Sequence, residues 1–425
     1  MTFLKNYLKT LYSFNRDVKL ALVPTLAIGI SYYGIFLVLF NLYLLRMGYD
    51  AQFIGTLNAA GPLAFVTMSL PAGAMNRRFG SRQLLITGII IYIISFGLIP
   101  FADLLPSNWQ TPWLFTTYIL AFLGGAFYWP NIDVFIMEIT EESEQTHAFS
   151  IRQALFPFAG FIGSLAAGFL PAIFVSILGS TTADPAPFRY ALFLCSLLYL
   201  PALLAILATT NPQHERSSAA HAPLSSLKPL LIVILPFLFI ELLWKGANAA
   251  PLNFFNVFLE LGLGMETAQI GQLLGFGQLF SALAALFAPI FATRFSLQNA
   301  VLLSLVGLLI SFLLLIWARH WLLVTIGYIG IRSLIAVSAT FLVINRLELV
   351  ESQWWGVLSG AAIASHGIGE SGFLYTGGIL IDTRGFGAFF GMNALLVALC
   401  IVVYWMLFRQ PKQVGPSPPM DEARF

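Results

Sequence analysis

Long apolar runs alternate with short polar gaps along the whole chain. Twelve runs can be counted. They lie at about 18–46, 51–76, 83–102, 112–138, 147–177, 187–209, 228–260, 267–293, 298–318, 320–345, 353–381 and 386–408. A helix needs about 20 mostly apolar residues to cross a bilayer, and tilt or protruding ends absorb the excess in the longer runs. The widest polar gap, Thr209–Lys228, falls at the midpoint. Its proline, serine and charge predict a linker. The proline-rich stretch from Gln410 is expected to be disordered. The pattern predicts a six-helix bundle over 1–209, a linker over 210–227, a second bundle over 228–409 and a tail over 410–425.

The two halves share a motif. Phe40–Gly55 reads FNLYLLRMGYDAQFIG, and much of it returns at Phe255–Gly271 as FNVFLELGLGMETAQIG. Phe40, Asn41 and Leu44 align with Phe255, Asn256 and Leu259, and Ile54-Gly55 with Ile270-Gly271 after one inserted residue. That period, about half the chain, is too long for a solenoid unit and implies duplication of a six-span unit.

Composition agrees with a lipid solvent. Hydrophobic residues make up 58%, charged residues 9%, and the mean hydropathy is +0.84, whereas a soluble domain carries about 25% charged residues. The net charge is +2 and the basic residues are scattered, so nothing marks a nucleic-acid surface. Cys195 and Cys400 each sit in an apolar run, which suits packing and gives neither a disulfide framework nor a metal-ligand spacing. The first 19 residues contain no cleavable signal pattern. Of the 21 Lys and Arg, a cytoplasmic N-terminus puts fifteen on inside segments and four outside (Arg46, Arg189, Arg319, Arg384), with Lys245 and Arg332 inside the membrane. The bias predicts a cell-membrane protein with both termini in the cytoplasm.

Six plus six segments, a polar mid-chain linker and two inside termini resemble a major facilitator superfamily transporter. The loop after the second segment is more specific. The family carries Gly-x-Leu-Ala-Asp-Arg-x-Gly-Arg-Lys there, and this chain matches it at Gly73, Arg78, Gly80 and Arg82, with Arg77 in place of the aspartate. The resemblance implies an all-α fold of twelve transmembrane helices in two pseudo-symmetric bundles, and a gating role for this loop. A reversed ion pair from Arg77 or Arg78 to Glu138, Glu141 or Glu142 is a candidate replacement for the missing carboxylate contact. The fifth segment carries Gly160, Gly163 and Gly168, and the eleventh Gly369, Gly372 and Gly377 at the same spacing. Such small residues let helices approach closely.

Ionisable groups inside a bilayer are costly and are functional candidates by default. Arg332 lies near the middle of the tenth segment, on one face with Thr325 and Tyr328. The resemblance implies that helices one, four, seven and ten line a central cavity, which places Tyr328 and Arg332 on the substrate path. His366 and Glu370 share a face of the eleventh segment. Glu370 either neutralises Arg332 in a static bridge or carries a proton, as His366 can. Glu241, Lys245, Asn248 and Asn256 form a polar stripe on the seventh segment, where Glu241 and Lys245 either pair at i, i+4 or face the cavity. Tyr-Trp-Pro-Asn-Ile-Asp at 128–133 is expected to interrupt the fourth segment at Pro130. Trp129 and Asp133 share a face there, and Tyr33 and Asn41 share one on the first segment. The candidate substrate contacts are therefore Tyr33, Asn41, Trp129, Lys245, Asn248, Asn256, Tyr328 and Arg332. Glu370, His366, Glu241 and Asp133 are the candidates for proton coupling.

No Walker-type loop is present, so a secondary active carrier working by alternating access is expected. Protons are the expected coupling ion, with a small organic solute moved by efflux or as a sugar or anion, by a monomer without cofactor or metal. The alternatives are a transporter-shaped sensor without flux and an intramembrane enzyme. For the enzyme, Ser365-His366 and Glu370-Ser371 are the only nucleophile–base candidates. Neighbours on a helix do not face each other, and no Gly-x-Ser-x-Gly or His-Glu-x-x-His motif accompanies them.

Overall fold

The computed structural model describes residues 14–211, 227–318, 320–350 and 354–408. Most of the mid-chain linker, the tail, Arg319 and the side chain of Arg77 lie outside the described residues.

In the first half the helices are α1 (Arg16–Arg46), α2 (Ala51–Phe79), α3 (Ser81–Leu104), α4 (Ser107–Ile139), α5 (Glu142–Leu178) and α6 (Ala186–Leu207). In the second they are α7 (227–262), α8 (Thr267–Arg294), α9 (Leu297–Trp317), α10 (Trp321–Glu348), and α11 and α12 within Trp355–Phe408. Among the described residues, ten helical stretches are long and apolar enough to cross a membrane. The last of them folds back at Gly385 into two spans, and α7 adds one more, which makes twelve. Gly385 has φ 80° and ψ 177°, a conformation open in practice only to glycine. Caps are local: Asn15 accepts from the Val18 amide at 2.8 Å and Asp50 from that of Phe53 at 2.8 Å.

Two helices depart from a plain α form. In α1 the stretch Gly29–Phe36 is π-helical. In α7 the helix ends at Asn253, two residues after Pro251, and restarts at Phe255. The interruption expected at Pro130 is absent, and α4 runs unbroken from Ser107 to Ile139. The Asn131 side-chain amide donates back to the Phe127 carbonyl at 2.7 Å within this helix.

The halves pack by the same rules. In the first, α2 lies on α4, α1 on α5, and α3 on both α4 and α6. In the second, α8 lies on α10, α7 on α11, and α9 on both α10 and α12. They meet along two equivalent seams, α2 with α11 and α5 with α8. The repeated glycines sit in these seams. A Cβ on Gly55 would fall 2.5 Å from the Leu374 carbonyl oxygen, and one on Gly271 2.6 Å from Gly168 Cα. Large apolar side chains point outward, Trp317 at 83% exposure and Ile177 at 69% among them. The buried set includes Asn41, Glu241, Asn256 and Arg332. Apolar outside and polar within is the arrangement lipid requires.

With an even number of spans both ends of the described chain lie on one face, called here the terminal face. The described polar ties between halves gather near the opposite, far face. Asn256 donates to the Leu37 and Val38 carbonyls at 3.1 and 2.9 Å. Asn41 donates to the Asn253 carbonyl and accepts from the Asn58 amide at 3.1 Å. Arg46 pairs with Glu260. The Asp382 carboxylate on α11 accepts from the Ala51 and Gln52 amides at 3.3 and 2.6 Å, capping the start of α2 from the other half.

Candidate functional site

Between the halves lies a cavity of about 340 Å³. It runs from the amides of Asn58 and Asn253 on the far side to Arg152 and Gln153 towards the terminal face. Helices α1 to α5 form one wall, and α7 and α11 the other. The first wall is aromatic. On α1, Tyr32, Phe36 and Phe40 recur at i, i+4 and stack, with centroids 5.7 and 4.4 Å apart and planes within 17°. Tyr118 on α4 continues the stack on Phe40 at 5.4 Å. Tyr33 and Trp129 both set their rings edge-on to Phe156, at 4.4 and 5.4 Å. The π-helical stretch has a wider turn than an α-helix, and both neighbours Tyr32 and Tyr33 reach the cavity.

The opposite wall carries charge. Lys245 Nζ on α7 lies 3.2 Å from Glu370 on α11, and both line the cavity. One turn towards the terminal face, Glu241 on α7 accepts from His366 on α11 at 2.5 Å and from Arg346 on α10 at 3.4 Å. The i, i+4 pair Glu241–Lys245 therefore does not close on itself, and Glu370 does not bridge to Arg332. Each helix carries two polar groups one turn apart in opposite order, so packing α7 on α11 satisfies both rungs at once. Glu241 is 2% exposed, and its two partners meet the need of a buried carboxylate for compensation.

Among the described residues, none of α10 lines the cavity, contrary to the expectation that it would. Tyr328 stacks on Phe255 with centroids 4.1 Å apart. Arg332 Nη2 donates to Gln278 Oε1 on α8 at 2.8 Å. Of the candidate contacts, Tyr33, Trp129 and Lys245 line the cavity, together with the coupling candidate Glu370. Asn41 and Asn256 lie in the far-face seam instead. Asn248 is buried, with its Oδ1 unpartnered. Asp133 pairs with Arg152 at the terminal end of the cavity.

In the α2–α3 loop, Gly80 has φ 83° and separates the two helices. Gly73 faces open space. Arg82 donates to Thr209 Oγ1 at 3.1 Å and to the Leu207 carbonyl at 2.8 Å. Glu138 accepts from the Ser81 hydroxyl. The Arg78 guanidinium lies 5.3 Å from the centre of the Phe79 ring. The loop is thus tied to α4 and α6 of its own half. The reversed pair expected of Arg77 rests on a side chain outside the described residues.

Sequence reasoning missed Gln278, Asn58 and Asn253, and counted Arg346 only as an inside charge. The aromatic wall left a readable signal in the i, i+4 spacing of Tyr32, Phe36 and Phe40. The single amides left none, because their partners are backbone or another helix.

The sequence profile of the Major Facilitator Superfamily matches residues 24–348. No curated protein sequence matches the chain. Solved structures with a similar fold include a mutant of the nucleoside transporter NupG, at TM-score 0.75 and 15% identity over 93% of this chain and 100% of that one. A D-xylose–proton symporter superposes at TM-score 0.74 with 14% identity, over 92% and 97% of the two chains. The xylose transporter XylE from E. coli, in a partially occluded inward-open conformation, superposes at TM-score 0.70 with 12% identity over 92% and 99%. Twelve spans in two equivalent halves around a cavity, together with a profile match over most of the chain, identify this multi-pass membrane protein as a secondary active transporter of the Major Facilitator Superfamily.

Proposed function

We propose that the chain carries a small, ring-bearing polar solute by proton-coupled alternating access. The Lys245–Glu370 pair carries this reading. It is an ion pair in the wall of a cavity otherwise dominated by aromatic rings. Protonating Glu370 removes the charge that holds Lys245, so the pair converts proton binding into a released cation beside the solute. The Glu241–His366–Arg346 cluster one turn away extends titratable groups towards the terminal face. Flat rings on one wall and amides at the far end suit a ring with polar substituents. The nucleoside and xylose transporters of similar fold carry ring solutes by their names. The reading takes the terminal face as cytoplasmic, from the Lys and Arg bias. The far-face ties then close the outside, and the cavity faces the cytoplasm. The two bundles, 1–209 and 228–409, rock about it in a monomer that acts as a carrier rather than a catalyst.

The test is uptake into proteoliposomes of labelled sugars, nucleosides and ring acids under an imposed pH gradient. Accumulation should rise severalfold with the gradient and vanish when it is collapsed. A compound carried equally well with and without the gradient would overturn the coupling. The state assignment has its own test. Glu260→Gln should weaken the Arg46 tie and raise labelling of an Asn58→Cys probe by an impermeant maleimide added outside, severalfold over the parent. Unchanged labelling would show that this pair does not hold the outer end.

A further inference from the structure

We infer that Arg332 and Gln278 form a docking point for an anionic group, so that the solute is a ring carboxylate. The inference rests on the proposed transport reading and adds the charge of the solute. The described arginines Arg46, Arg152, Arg189 and Arg346 each pair with a carboxylate. Arg332 is 7% exposed and has none among the described residues. Among the described residues its hydrogen-bond partner is the neutral Gln278 amide, and its Nε is buried without a partner there. A buried charge left uncompensated inside a bilayer is costly. The fold retains it beside the cavity, held by Gln278.

Lys245 and Glu370 cancel each other, so Arg332 leaves this region with one excess positive charge. Gln278 and Tyr33 both pack on Gly160, each 3.5 Å from where its Cβ would stand. The guanidinium therefore lies behind the Tyr33 side of the cavity, with the Gln278 oxygen in the place of an acceptor. A carboxylate offers two oxygens to the planar guanidinium fork, and one amide oxygen offers a weaker substitute. Rotation of the Gln278 amide frees Nη2 for the anion, while the aromatic stack takes the ring.

Benzoate and benzamide share a ring and differ in charge. Their binding to the full chain in lipid nanodiscs is read by calorimetry. Benzoate should bind at least about tenfold more tightly, the size of a charge-assisted hydrogen bond. In Arg332→Gln the benzoate-to-benzamide ratio should fall towards one. Gln278→Ala should tighten benzoate severalfold by removing the internal competitor. Equal binding of the two probes by the parent overturns the inference, as does a ratio unchanged in Arg332→Gln or no detectable benzoate binding. If Arg332→Gln fails to fold, Arg332→Lys keeps the charge without the fork, and a ratio equal to that of the parent overturns the fork-specific contact. Benzoate uptake that ignores an imposed pH gradient would defeat the coupling reading and leave the carboxylate preference standing.

Discussion

Glu370→Gln is expected to abolish uphill transport. Glutamine keeps the size and hydrogen-bonding capacity of the side chain but cannot take up or release a proton. Lys245, 3.2 Å away in the parent, then has no titrating partner. The ratio of gradient-driven to downhill flux in proteoliposomes should fall at least about tenfold, since a proton-transferring group typically contributes that much or more to the step it serves. Glu370→Asp, which still titrates, should restore part of it. If the glutamine variant concentrates solute as the parent does, the coupling site lies elsewhere, and Glu241 with His366 is the next place to look.

The largest loss of stability is expected from Glu241→Ala. The carboxylate is 2% exposed and accepts from both Arg346 and His366. Removing it strands Arg346, whose side chain is 12% exposed, among apolar helices. Breaking a buried pair from one side costs on the order of 3 kcal/mol. The purified variant should unfold well below the parent in a thermal ramp. Removing both partners is much closer to neutral than removing one, so Glu241→Met with Arg346→Met should recover most of the loss. A double variant no better than the single one would show that Glu241 acts through packing rather than charge.

The architecture was legible because lipid demands it. Apolar runs of spanning length and the Phe-Asn repeat both sit in the linear order of the residues. The repeat even marked the close seams, since Gly55 and Gly271 are its aligned glycines. Pairing was less legible. Glu241 and Lys245 stand one turn apart, and so do His366 and Glu370, so each helix alone offers an internal explanation for its polar groups. Only the adjacency of α7 and α11 reveals the crossed arrangement. Arg332 was readable as costly, but its partner is an uncharged glutamine on another helix, which no charge pattern marks. Pro130 looked like a break and leaves α4 continuous, whereas Pro251 precedes a real one. At that break the Asn253 carbonyl is taken by Asn41 of the other half.

That far-face seam has a consequence for how the sequence can drift. Asn256 holds the carbonyls of Leu37 and Val38, and Asn41 holds that of Asn253. The donors are side chains and the acceptors are main chain. Every residue type supplies the same carbonyl, so substitutions at 37 and 38 leave the clasp intact, while the two asparagines have no equivalent. For the clasp alone, tolerance should be one-sided and strict at the donors, while Leu37 and Val38 answer only to cavity lining and packing.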